Sequence, residues 1–117
     1  MPGVQTCALP ICVAYFTAFL EENPYSVSAW YNLGVSYSKL EQDEKAIEAY
    51  DYALAIDDKF ASAYFNKANA LANLERYHDA IKAYEETLAC EQPDALTYFY
   101  IAECYERLEE IDNALKN

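Results

Sequence analysis

The chain has 117 residues, the length of one ordinary domain, and 54% of them are hydrophobic, which excludes a disordered tail. Two glycines and four prolines suit helices joined by short turns better than strands. A formal charge of −12 argues against binding a phosphate backbone or an anionic membrane, and no apolar run is long enough to span a bilayer.

The first residues stand apart from the rest. Gly3 to Ile11 read as the in-frame translation of a common short-read sequencing adapter, whose dangling T would begin the codon for Cys12. Residues 1–12 are therefore expected to be a non-native leader, with the native start upstream, and are set aside from fold reasoning. No lysine or arginine precedes the apolar stretch, so a secretory signal is not indicated.

Residues 13–26 carry apolar residues at helical spacing and then Glu-Asn-Pro-Tyr, a helix stop and turn. Phe16 takes the place that Tyr50 and Tyr84 hold one and two repeat periods later, so this stretch is expected to be the second helix of a partial repeat.

Residues 27–60 form the reference unit, VSAWYNLGVSYSKLEQDEKAIEAYDYALAIDDKF. Slid forward until Val27 falls on Ala61, it aligns without a gap on 61–94, and slid by the same step again it aligns on 95–117. Trp30, Tyr64 and Tyr98 align, as do Tyr37, Leu71 and Tyr105, and Ala46, Ala80 and Ala114. A repeat of this period fixes the architecture before anything else does. Each unit holds two apolar runs at helical spacing, with Glu41-Gln42-Asp43 between them and Asp43 as a candidate cap. Two antiparallel helices per unit, each roughly 21 Å long, are expected. Gly34, Ala68 and Ala102 are small where the second helix must approach the first, and Ala46, Ala80 and Ala114 supply the matching surface. The third unit is expected to turn and end at Asn117 just inside its second helix. Neither end offers a polar capping helix, so the chain reads as a stretch of a longer array, marginal in stability alone.

Trp30, Leu33, Gly34, Tyr37, Ala46 and Tyr50 resemble the tetratricopeptide repeat, W-x-x-L-G-x-x-Y…A-x-x-x-F…P. The resemblance covers residues 13–117 and implies an all-α fold, a right-handed α–α superhelix built of antiparallel helix pairs. The units depart at Lys67, Leu71, Ile101 and Ala102, and the closing proline is replaced by Asp58 or displaced to Pro93. The resemblance also implies that first helices line a concave groove. It assigns to that groove Tyr31, Asn32, Val35 and Lys39 from the first full unit, and Phe65, Asn66, Asn69 and Asn73 from the second. Phe99, Tyr100, Glu103 and Arg107 follow from the third. Tyr31, Phe65 and Phe99 recur once per unit as an aromatic row, and asparagine amides beside them can donate to and accept from a peptide backbone.

Co-chaperone repeat domains hold a C-terminal carboxylate with lysine and asparagine on one unit, asparagine on the next, and a basic residue on the third. The matching positions are Tyr31, Val35, Asn66, Leu96 and Tyr100, of which only Asn66 agrees, so such a clamp is not expected. No phosphate loop, nucleophile elbow or metal motif occurs, and His78 is the sole histidine. No enzyme activity and no cofactor are therefore expected. Cys90 and Cys104 fall at small apolar positions as packed thiols, which favours a reducing, cytoplasmic setting. The expected function is a scaffold that binds a protein or extended peptide, basic or neutral, and not nucleic acid. The rival is the recognition arm of a larger enzyme or signalling protein.

Overall fold

The computed structural model describes residues 10–91 and 94–116. The described residues form six helices: α1 (Pro10–Glu22), α2 (Val27–Lys39), α3 (Asp43–Ile56), α4 (Ala61–Asn73), α5 (Tyr77–Cys90) and α6 (Ala95–Lys116). Each packs on the next in the chain, and α2 also touches α4, giving an all-α helical-repeat solenoid 52 × 30 × 24 Å. Residues 1–9, which hold most of the expected leader, lie outside the described residues. The remainder of that leader, residues 10–12, is already the first turn of α1, where a proline costs nothing because its missing N–H would have no partner.

The turns within units are built alike. Glu41 and Glu75, equivalent positions of successive units, take left-handed backbone with φ near 62° and 61°. Their N–H groups bond to the Ser38 and Ala72 carbonyls, and the next residues, Gln42 and Arg76, bond back to Tyr37 and Leu71 at 2.9 Å. This paired bonding satisfies the last carbonyls of α2 and α4 and reverses the chain. Asp43 is the first residue of α3 rather than its cap: Gln42 stands in the capping position without a side-chain bond. Asp43 contributes instead as a negative charge in the first helical turn.

Loops between units are pinned from inside the following helix. Trp30 Nε1 donates to the Pro24 carbonyl at 2.8 Å, and the Tyr64 hydroxyl does the same to Asp58 at 3.1 Å. Ser26 caps α2 by accepting from the Ala29 N–H, and Asp94 caps α6 by accepting from the Leu96 N–H and the Thr97 hydroxyl.

The close approach of paired helices requires small side chains at the seam. Ala46, Ala53, Ala68 and Ala80 have no exposed surface, and Tyr50 and Tyr84 fill the space between them. A Cβ on Gly34 would overlap the Tyr50 ring, so α2 and α3 are in backbone-to-ring contact there. Replacing Ala80 with leucine forces extra methylenes into this filled seam and is expected to cost about 1–3 kcal/mol. Thermal unfolding followed by circular dichroism should show the loss, while leucine at the exposed Ala114 should leave the midpoint in place.

The third unit departs from its expected form. No turn occurs at Glu109, the counterpart of Glu41 and Glu75; α6 continues unbroken to Lys116. In the first two units a left-handed residue is offset by burying Ala46 or Ala80 in the following helix. With no second helix after Glu109 among the described residues, no such burial offsets a left-handed residue, and continuing the helix secures more backbone bonds. Ala114 is consequently exposed, and Tyr98 is half exposed rather than filling a gap between helices.

Candidate functional site

The first-helix faces of α2, α4 and α6 carry three neighbouring depressions. The first, about 280 Å³, is lined by Tyr31, Ser62, Phe65 and Asn66 with Thr87, Glu91, Asp94 and Leu96. A second of about 240 Å³ lies over Val35, Ser38, Lys39, Tyr50, Asn66, Asn69 and Asn73. The third, about 180 Å³, is bounded by Asn73, Tyr84, Tyr100, Glu103 and Arg107. Asn66 borders the first two and Asn73 the last two, so the three lie in a row along these helices and together make up the trough considered below.

Ten of the twelve residues assigned to the groove line this trough: Tyr31, Val35, Lys39, Phe65, Asn66, Asn69, Asn73, Tyr100, Glu103 and Arg107. Asn32 and Phe99 line none of the three depressions. The aromatic row is uneven as a result. Tyr31 is half buried, its ring 4.9 Å from that of Phe60 and 5.9 Å from Tyr50. Phe65 packs edge-on against Tyr84 and tilted against Tyr100, at 5.7 and 5.8 Å. Phe99 stands exposed and touches Tyr100 edge-on. Two rungs therefore serve packing first, and the third turns aside.

The polar groups are held firmly. Asn66 Nδ2 donates to the Tyr31 hydroxyl at 2.7 Å, a bond that crosses from one unit to the next. The Tyr84 hydroxyl donates to Asn69 Oδ1, and the hydroxyls of Ser38 and Tyr50 are bonded at 3.2 Å. Burial raises the Tyr31 pKa, opposed by its bonds to Asn66 and Ser62, so its hydroxyl stays protonated and neutral. No buried side-chain polar atom among the described residues lacks a partner.

Repeat position alone marks Tyr50 and Tyr84 as packing residues. They come from α3 and α5, yet their hydroxyls reach through to the trough floor and orient Ser38 and Asn69. The signal that reveals this role is chemical: a buried phenol needs a partner, where the repeat pattern has phenylalanine with no such need.

Lys39 and Arg107 take part in neither ion pair found among the described residues. Those pairs, Lys67–Asp51 and Arg76–Asp79, lie on the opposite face in a larger depression of about 390 Å³, with Lys82 and Glu86. Size favours that hollow, but its charges largely satisfy each other, at 2.6 and 3.2 Å. The trough combines apolar surface with amides oriented by second partners, which suits ligand recognition better. Among the described residues no group of acids, histidines and cysteines could hold a metal ion, and no helix is long and apolar enough to cross a membrane.

Family models described as "Tetratricopeptide repeat" match residues 27–60 and 61–93. No curated protein matches the sequence. Among solved structures, the first TPR of Spaghetti (RPAP3) bound to HSP90 peptide SRMEEVD superposes with a TM-score of 0.80 at 20% identity. That match covers 84% of this chain and 78% of the other. MamA superposes with a TM-score of 0.81 at 26% identity over 90% of this chain, which spans 57% of MamA. The second TPR domain of human RPAP3, in complex with HSP70 peptide SGPTIEEVD, gives 0.76 at 16% identity, covering 80% of this chain and 78% of that one.

Proposed function

Because the chain belongs to the tetratricopeptide repeat family, we propose that it is a protein-interaction scaffold holding an extended peptide along the trough of α2, α4 and α6. The observation that carries this reading is the pair Asn66 and Asn69, one turn apart on α4 and each tied to a tyrosine hydroxyl. Asn66 commits one N–H to Tyr31 and keeps its carbonyl oxygen; Asn69 commits a lone pair to Tyr84 and keeps both N–H groups. A neighbouring acceptor and donor, fixed before binding, match the alternating N–H and C=O of an extended main chain. Tyr31, Phe65 and Val35 supply apolar walls for side chains between those bonds.

Structural neighbours hold peptides of HSP90 and HSP70, which supports a peptide as the ligand type. The particular mode suggested for co-chaperones is not carried over, because Tyr31, Val35, Leu96 and Tyr100 stand where that mode needs lysine, asparagine and basic residues. Recognition here rests on the backbone and on apolar area. No catalytic step is assigned to the trough; a larger protein carrying this array would use it as a recognition arm.

A random peptide library displayed against the chain tests the reading. Selected peptides should bind the Asn66→Ala variant up to about tenfold more weakly, the worth of one net hydrogen bond. Lys82→Ala on the opposite face should bind them unchanged. The reverse pattern would move the site to the 390 Å³ hollow. Phe65 is left intact in this test because it also packs against Tyr84 and Tyr100.

A further inference from the structure

The first depression of the trough differs from the other two in charge. Its lining includes two carboxylates, Glu91 and Asp94, and no basic side chain. Lys39 belongs to the second depression and Arg107 to the third. Neither Glu91 nor Asp94 takes part in the ion pairs found among the described residues, Lys67–Asp51 and Arg76–Asp79. The net charge of −12 adds a long-range pull on cations to this local imbalance.

Hydrogen-bonding capacity points the same way. Asp94 is fixed by its capping role: Oδ1 accepts from the Leu96 N–H at 3.2 Å and Oδ2 from the Thr97 hydroxyl at 3.4 Å, and each oxygen keeps a second lone pair. Glu91 is exposed at the end of α5, tied there by its backbone N–H to the Thr87 carbonyl at 3.1 Å. The Thr87 and Thr97 hydroxyls give their protons to the Ala83 carbonyl and to Asp94, so neither remains as a donor to a ligand. Asn66 keeps its carbonyl oxygen. The hollow is therefore rich in free acceptors, and lysine and arginine are the charged side chains that only donate. Tyr31 and Phe65 supply the apolar remainder, their rings steadied by Phe60, Tyr84 and Tyr100. A long cationic side chain lays its stem on such rings and presents its head to the carboxylates.

We propose that the depression between Tyr31, Phe65, Glu91 and Asp94 is a subsite for an arginine or lysine side chain of the bound peptide. The inference rests on the trough reading above and adds to it a charge preference at one ligand position. Asn66 borders this depression and the next, so the cationic residue sits beside the main-chain amide that Asn66 holds. The adjoining depression over Val35 then takes a neighbouring side chain. Both carboxylates stay partly in water, so the pairing is salt-sensitive and sets the choice of peptide more than its total affinity.

A random peptide library selected on the whole 117-residue chain tests this. Selected peptides should share arginine or lysine at one fixed position. One such peptide and its copy with norleucine at that position are then titrated against the parent and against Glu91→Gln with Asp94→Asn. Asparagine still caps a helix, so the double variant keeps the fold and loses only charge. It should bind the cationic peptide more weakly by about two- to fivefold for each carboxylate removed, and the norleucine copy unchanged. Added salt should narrow the gap between the two peptides on the parent chain. Selection on Glu91→Lys should turn the preference toward aspartate or glutamate. Peptides that depend on Asn66 yet share no cationic position, or a double variant that weakens both peptides alike, would overturn this subsite and leave the trough reading standing. Binding indifferent to Asn66→Ala would overturn both.

Discussion

Replacing Tyr84 with alanine is expected to remove about 3–5 kcal/mol of folding stability, the range for deleting a fully buried aromatic ring. Tyr84 is 1% exposed and lies in the larger core cluster with Ala68, Leu71, Ala80 and Cys104. Its ring stacks on Tyr100 at 5.8 Å and meets Phe65 edge-on, so it joins α4, α5 and α6 at a single point. Whole domains have only about 5–15 kcal/mol in total, so the variant should sit near its unfolding midpoint in mild urea. Urea titration monitored by helicity gives the number. Tyr84→Phe keeps the ring and loses only the bond to Asn69, and should fall by about 0.5–1.5 kcal/mol. If the two variants lose equal amounts, the ring's packing is not what holds the three helices together.

A second large effect is expected in alkali. Burial pushes the Tyr50 pKa from 10.0 up to about 12, with Tyr31 and Asp43 adding to the rise and the Ser38 bond opposing it. Burial raises Tyr84 as well, reinforced by Cys104, Tyr100 and Glu103. In the unfolded chain these phenols ionise near their ordinary value, so above about pH 10 the unfolded state loses protons that the native state retains. Their contribution is present in full below that pH and is lost as pH climbs toward about 12. Tyr50 alone accounts for about 3 kcal/mol over that window, at about 1.4 kcal/mol per unit. Helicity should therefore be lost together with the last portion of the tyrosinate absorbance change, that of the buried phenols, and Tyr50→Phe should move that transition to higher pH. Full tyrosine titration near pH 10 with helicity intact would refute the assignment.

The helix pairs were legible in the sequence because small residues recurring at a fixed period can only mean repeated close contact. Gly34 against Tyr50 and the fully buried Ala46 and Ala80 are that contact. The turn at Glu109 was not legible as absent, since its local sequence matches the turns at Glu41 and Glu75. What differs is the burial that follows, a property of tertiary context and not of the turn itself. The candidate groove positions came from the resemblance to the repeat family and not from periodicity. Their roles were less legible: Tyr31 and Phe65 are half buried by Phe60, Tyr84 and Tyr100, which a single-helix projection does not contain. The hydroxyl bonds of Tyr50 and Tyr84 reach back to another helix of the same unit and depend on how α3 and α5 seat behind the trough.

The bond from Asn66 to Tyr31 joins two units through side chains alone, beyond what either helix pair supplies for itself. Stacked units behave as a one-dimensional array whose cooperativity resides in the joints between neighbours. Under the proposed function, a ligand lying across the trough would contact Asn66 and Tyr31 together, and so would act on the joint rather than on either unit. Such a ligand would work as a splint, stiffening the array along its length, so that the first unit to fray in the free protein would be held by its neighbour in the bound one.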